Sequence, residues 1–180
     1  MQSRFLWVGA LVALSFGITQ TVSAKTVNPA PSSGHSARLT EPSGGFSYVP
    51  PVGWHIRTFP GLKYRMSYVM ASGFAPNINV VDETAPVPLN KYVQMNLTQM
   101  TRVYTVFHVL GQSPFVTSSG LHGIRLASTG TVAGKHVHQI FYLFPAPSSR
   151  KIVVTASWLA ADGEKYTRAV DGSMKTFALK

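Results

Sequence analysis

Cysteine is absent from the 180 residues. Its absence excludes disulfide staples, thiolate metal sites, thiol nucleophiles and redox switching. The apolar core alone must hold the fold, which is feasible for a chain of this length. Acidic residues are nearly as scarce: 6 Asp and Glu stand against 16 Lys and Arg, a formal net charge of +10. So small an acid count leaves little for glycosidase chemistry, which needs two carboxyl groups flanking a cleft. The phosphate-cradling GxxxxGK[ST] and GxGxxG loops and the zinc-binding HExxH helix are missing as well. The apolar run Phe5 to Thr19 falls short of the roughly 20 residues that span a bilayer.

What is present begins with that run. Arg4 precedes it, and Val22-Ser23-Ala24 offers the small residues of a signal-peptidase site, so cleavage is expected after Ala24. No Cys follows to carry a lipid, and no twin Arg precedes, which favours the general secretory route. Of the 16 Lys and Arg only Arg4 would be lost, leaving a formal +9. Residues 25–45 are rich in Pro, Ser and Gly and poor in large apolar side chains, as in a flexible leader. A single domain is expected over 46–180.

Within it, Phe46 to Val49 reads as a strand stopped by Pro50-Pro51, with Gly53 permitting a turn. Trp54 then enters the core and Trp54 to Thr58 returns as a strand, in place of an aromatic ligand site. Lys63 to Met70 and Asn77 to Val81 alternate as further strands. The period then changes to helical: Leu89, Val93, Leu97, Met100 and Tyr104 share one side of about four turns. Strands follow at Gln112 to Thr117, Ile124 to Val132, Lys135 to Phe144 and Lys151 to Leu159. The last two are apolar on both faces, Val137, Phe141 and Leu143 opposing Ile140, Tyr142 and Phe144. Such strands are covered from both sides. Asp162 is placed to cap a closing helix whose stripe is Tyr166, Val170, Met174 and Phe177. On its other side Glu164 with Arg168, and Asp171 with Lys175, form i,i+4 pairs expected to compensate one another in solvent. The expected fold class is α+β: an α/β/α sandwich with a central antiparallel sheet and helices on both faces.

The chemistry-bearing candidates are few. His136 and His138, two apart on a strand, point the same way and could converge on Zn, Cu or Ni, with His108 or His122 as a third ligand. Gly111-Gln112-Ser113-Pro114-Phe115 fails as a nucleophile elbow, because Phe115 stands where the tight turn needs Gly and Pro114 lacks an oxyanion-hole N–H. Asp82 and Glu83 would point to opposite strand faces and are expected in ion pairs or solvent. Arg57, Lys63, Tyr64, Arg65 and Tyr68 make a mild version of a basic aromatic groove. Asn96-Leu97-Thr98 matches a glycosylation sequon, but Asn96 lies inside the first helix.

The order of several short motifs resembles one known superfamily. Phe46-Ser47-Tyr48-Val49-Pro50 opens, Gly53-Trp54 follows the turn, and Pro76-Asn77-Ile78-Asn79-Val80 precedes the long helix. Leu121-His122-Gly123-Ile124-Arg125 gives a middle strand, Gly134-Lys135 turns into a strand containing Gln139, and Ile152 to Trp158 precedes the last helix. This order, over Gly45 to Lys180, is similar to that of the PsbP-like/DcrB-like superfamily, which includes the photosystem II extrinsic protein and a Ran-binding nuclear import factor. The resemblance implies the sandwich fold, and binding or assembly roles with no shared catalytic set. It therefore assigns no catalytic, cofactor or metal residue here.

The expected function is that of an exported, non-enzymatic binding or assembly protein of the cell envelope. Its expected partner is an envelope protein or small ligand, not nucleic acid. Two alternatives stay open: a metal-dependent hydrolase using His136 and His138, and a basic binder of anionic surfaces or polyanions.

Overall fold

The computed structural model describes residues 36–180. The expected signal segment 1–24 and residues 25–35 of the expected leader lie outside the described residues. The elements run β1 Leu39–Glu41, β2 Phe46–Tyr48, β3 His55–Arg57, β4 Met66–Tyr68, β5 Asn77–Thr84, α1 Leu89–Val103, β6 Phe107–Val116, β7 His122–Val132, β8 Lys135–Pro145, β9 Arg150–Leu159, α2 Thr167–Lys175 and β10 Ala178–Leu179.

Seven strands form an antiparallel sheet in the order β3-β4-β5-β9-β8-β7-β6. β6 to β9 make a meander, so adjacent strands follow one another in the chain. β5 pairs with β9 on the inner side, and α1 must therefore carry the chain from β5 across to the far edge at β6. That crossing is why α1 buries an apolar stripe: Tyr92, Val93 and Met100 pack with Phe141, Leu143 and Val153. The opposite face holds Ile140, Tyr142, Phe144, Ile152, Val154 and Trp158 against Val170, Met174 and Phe177 of the α2 segment. β1, β2 and β10 close this side as a small second sheet, with Phe46 and Phe144 each stacked on Phe177. The two apolar faces expected of β8 and β9 are thus covered by different layers, and the α+β sandwich is the observed architecture.

The β7–β8 hairpin turns on Ala133 and Gly134, at φ 48° and 71°. Two successive positive φ values match the right-handed twist of the flanking strands, and Gly134 adopts its conformation without the penalty Ala133 bears.

Several boundaries differ from the sequence reading. β1 falls inside 25–45, and its Leu39 is buried in the core beside Phe46 and Tyr48. One large apolar residue suffices there because β2 supplies the pairing partner. β6 begins at Phe107 rather than Gln112. The second helix begins at Thr167, not after Asp162, because Gly163 at φ 55° breaks the chain between a 3-10 turn at Ala160–Asp162 and the helix. Trp54 does not enter the core fully: it is half-buried at the margin, edge-on to Tyr166 with ring centres 6.1 Å apart. The fully enclosed indole is Trp158, whose Nε1 donates to the Gly163 carbonyl at 2.7 Å.

Candidate functional site

The residues singled out for chemistry are dispersed, and most are engaged in holding the fold. His136 and His138 do share a face, as strand alternation requires, but their environments differ. His136 is exposed, with Nδ1 3.3 Å from the Thr131 hydroxyl. His138 is buried and lies flat on Trp158, ring centres 4.7 Å apart at 10°. Its Nε2 is 3.9 Å from a Glu164 carboxylate oxygen. Burial pushes the His138 imidazole below its ordinary pKa; the Glu164 charge opposes this and the Arg125 charge adds to it. His108 pairs with Thr129, and Thr129 with His138. It therefore sits two strands from His138 on the same face, and His122 lies at the other end of β7. Among the described residues no three His, Asp or Glu groups gather as a metal site.

Asp82 and Glu83 point to opposite faces. Asp82 accepts from Lys63 at 2.7 Å and Tyr64 at 2.9 Å, with Arg150 at 3.3 Å. Burial pushes its carboxyl up, but these hydrogen bonds and the Lys63 and Arg150 charges outweigh it and hold the pKa below the ordinary value. Glu83 accepts from the Tyr92 hydroxyl on the α1 side. Burial raises its pKa, partly offset by that bond. Arg65 is held by Glu41 at 2.7 Å, and Tyr64 is buried. Of the basic aromatic groove expected around residues 57–68, Lys63, Tyr64 and Arg65 are thereby spent on ion pairs and core, Tyr68 is half-buried and Arg57 stays exposed. Asn96 is buried in α1 and donates to the Tyr92 carbonyl at 2.8 Å.

The charged side of α2 is not the self-compensating surface that its spacing suggests. Asp171 turns away from Lys175 and pairs with Arg125 of β7 at 2.8 Å, and it accepts from the buried Tyr142 hydroxyl as well. Glu164 lies ahead of the helix and accepts from Thr167. Lys175 donates to the Val116 carbonyl at 2.7 Å and sits 4.6 Å from the centre of the Phe115 ring. Sheet geometry decides these partners, because β7 places a cation beneath the helix that helical spacing alone cannot reveal.

What remains open is the β6 edge. Seven of its ten residues are exposed, and among the described residues only β7 pairs with it. A lone strand edge presents unpaired N–H and C=O groups, the template for adding another strand. From the end of α1 into β6, Val103, Val106, Val109 and Leu110 are 43–55% exposed, four apolar side chains within eight consecutive residues. Ser113 lies mid-strand opposite Arg125, far from any strand-to-helix turn. The other edge, β3, has only three residues, the short blunt form that resists strand addition. The sequence reading missed the first half of β6, because Gly111 and the bulge between Val109 and Gly111 interrupt the alternation.

A further signal was available in the sequence. Between Glu83 and Asp162 there is no Asp or Glu. That stretch includes α1 and β6 to β9. Arg125 is neutralised by Asp171, and Arg150 by Asp82. Arg102, at the end of α1, and Lys135, at the β7–β8 turn, are exposed and have no ion pair among the described residues.

No family model and no curated protein sequence matches the chain. Among solved structures it is similar to cyanobacterial PsbP from Synechocystis sp. PCC 6803, at 11% identity and TM-score 0.59, over 87% of this chain and 99% of that one. What the two share is the fold, a PsbP-type sandwich. A PsbP-type fold is also seen in LpqN of Mycobacterium tuberculosis, a protein involved in cell envelope biogenesis: 14% identity, TM-score 0.60, covering 80% of this chain and 90% of LpqN. A Mog1 variant matches at 13% identity and TM-score 0.52, over 79% of this chain and 95% of its own. Of the ordered sequence markers, Gly53-Trp54 falls at the β2–β3 turn, Pro76 to Val80 at the start of β5, Leu121 to Arg125 at the start of β7 and Gly134-Lys135 at the β7–β8 hairpin, while Ile152 to Trp158 runs through the middle of β9.

Proposed function

We propose that this chain is an exported, non-enzymatic binding or assembly protein of the cell envelope, and that it holds its partner at the β6 edge. The open β6 strand with its Val103–Leu110 patch carries the reading. A ten-residue edge flanked by exposed apolar side chains is a hazard unless something uses it, since such edges invite pairing with other chains. The N-terminal apolar run and its Ala24 boundary support export, and the envelope role of the similarly folded LpqN supports the setting.

The test is site-specific photo-crosslinking in cells. A photoreactive side chain at Leu110 is expected to yield a discrete adduct in the envelope fraction. The same group at Val52, also well exposed but beside the β3 edge, is expected to yield none. Equal labelling from both positions, or none from Leu110 in any fraction, would overturn the reading.

A further inference from the structure

We infer that the partner of the β6 edge is an extended acidic segment that adds to the first half of β6 as an extra strand; this rests on the binding role proposed above. The hydrogen-bonding pattern defines where it can dock. The Thr131 amide donates to the Val106 carbonyl, so Val106 faces β7 and, by alternation, Phe107 and Val109 turn their backbone groups outward. Beyond the bulge, the Thr117 amide donates to the Leu121 carbonyl, which puts Gln112 and Pro114 outward. Pro114 has no N–H to offer, so a continuous ladder ends before it. Phe107, Val109 and Gln112 are the available donors, and the exposed apolar patch lies along this same half.

Charge selects the occupant. The flanking cations are Arg102 and Lys135, both without an ion pair among the described residues. α1, β6, β7, β8 and β9 contain no carboxylate to answer them. Of the acids outside this stretch, Glu83 is held by Tyr92, Asp171 by Arg125 on β7 opposite Ser113 in the second half of β6, and Glu164 is at His138, two strands in from β6. A second copy of this chain would bring the same cations to the same edge, and a formal +10 opposes that approach. An extended segment alternating apolar and acidic residues answers both features. Its side chains would alternate between the faces of the sheet: carboxylates on the α1 side would meet Arg102 and Lys135, apolar residues on the other side would meet Val106, and the backbone would take the outward amides.

The experiment uses the full mature chain and two synthetic peptides as long as β6, one alternating valine and glutamate, the other valine and lysine. Binding is read by titration, and the docking position by amide hydrogen exchange. The acidic peptide is expected to bind and to slow exchange at Phe107, Val109 and Gln112, with no protection gained at Val116. Arg102→Glu with Lys135→Glu is expected to weaken binding on the order of tenfold, while leaving thermal unfolding unchanged because both side chains are exposed. Binding of the lysine peptide with equal affinity, or acidic-peptide binding without protection at Val109, would overturn the acidic-strand assignment. Concentration-dependent protection of β6 without peptide would replace the occupant by a second copy. The Leu110 photo-crosslink separates the two levels. A Leu110 adduct whose attached segment is basic or neutral overturns this inference and leaves the binding role standing; absence of any Leu110 adduct removes the binding role itself.

Discussion

β6 and β9 are both ten-residue strands of the same antiparallel sheet. Eight residues of β9 are buried, against one of β6. Composition does not explain the gap, since β6 carries Phe107, Val109, Leu110, Phe115 and Val116. Position does. β9 lies between β5 and β8, with α1 over one face and α2 and the small sheet over the other. Among the described residues β6 has a neighbour on one side only, and between Phe107, which packs on Tyr104, and the buried Phe115 its residues are exposed. The contrast teaches that apolar content sets what a strand can bury, while its rank in the sheet sets what it does bury. The interior strands hold the apolar core, and the edge is the surface on which the proposed binding role rests.

Substitutions along this gradient should have graded effects. The largest is expected at Trp158→Ala, which empties the enclosed site under His138 and Tyr166. Loss of about 3–5 kcal/mol in chemical denaturation is predicted; a loss under about 1 kcal/mol would show that the sealed side is not the main store of stability. Gly123→Ala comes next. A Cβ there would meet the Leu143 carbonyl at 2.6 Å and the Phe144 ring at 2.5 Å, so the β7–β8 pairing must shift, at a cost of about 1–3 kcal/mol. Trp54→Ala, at the half-buried margin, is expected to cost about 1–2 kcal/mol. A cost near that of Trp158→Ala would mean that the two indoles are equally enclosed.

Acid provides a subtler probe of the sealed side. His138 has its pKa lowered in the fold from an ordinary 6.5. The unfolded chain therefore takes up the proton first as pH falls. The stability contributed by neutral His138 is fully present above about 6.5 and is lost as pH falls through the lowered folded value. His138→Phe keeps a ring on Trp158 and removes the proton, so its unfolding midpoint should fall less between pH 7 and 5 than that of the parent. Parallel pH profiles would show that His138 does not titrate against the fold. Asp82 acts the same way at lower pH: its contribution is present above its ordinary 3.8 and lost as pH falls through the depressed folded value. The smallest effect on stability belongs to the open edge. Leu110→Lys should change unfolding by no more than about 0.5 kcal/mol, yet it removes part of the patch on which partner binding is proposed to depend. A marked destabilisation would place Leu110 in the core and close the comparison between the two strands.

Much of the fold was legible in advance because its signals are local. The two-faced pattern of β8 and β9 reports burial from both sides. The Val170, Met174 and Phe177 stripe identifies the face of the α2 segment that enters the core. The site was less legible. Helical spacing pairs Asp171 with Lys175, but the sheet supplies Arg125 as a nearer partner with the Tyr142 hydroxyl beside it. The two apolar faces of its strand announce the burial of Trp158, whereas Trp54, next to Gly53 and His55, carries no such signal, and the packing of the chain leaves it at the margin. The bulge at Gly111 hides half of β6 from any period-two reading.

The sequence by itself determined the composition of the layers: no cysteine, few acids, strands with two apolar faces and helices with one. Those properties follow from the periodicity of the backbone and from which side chains water rejects, and both act over neighbouring residues. Tertiary structure alone decided the strand order, and with it which edge stays open, which ions meet and which histidine is buried. These depend on contacts between residues far apart in the chain, where α1 carries β6 to the rim and β5 closes against β9.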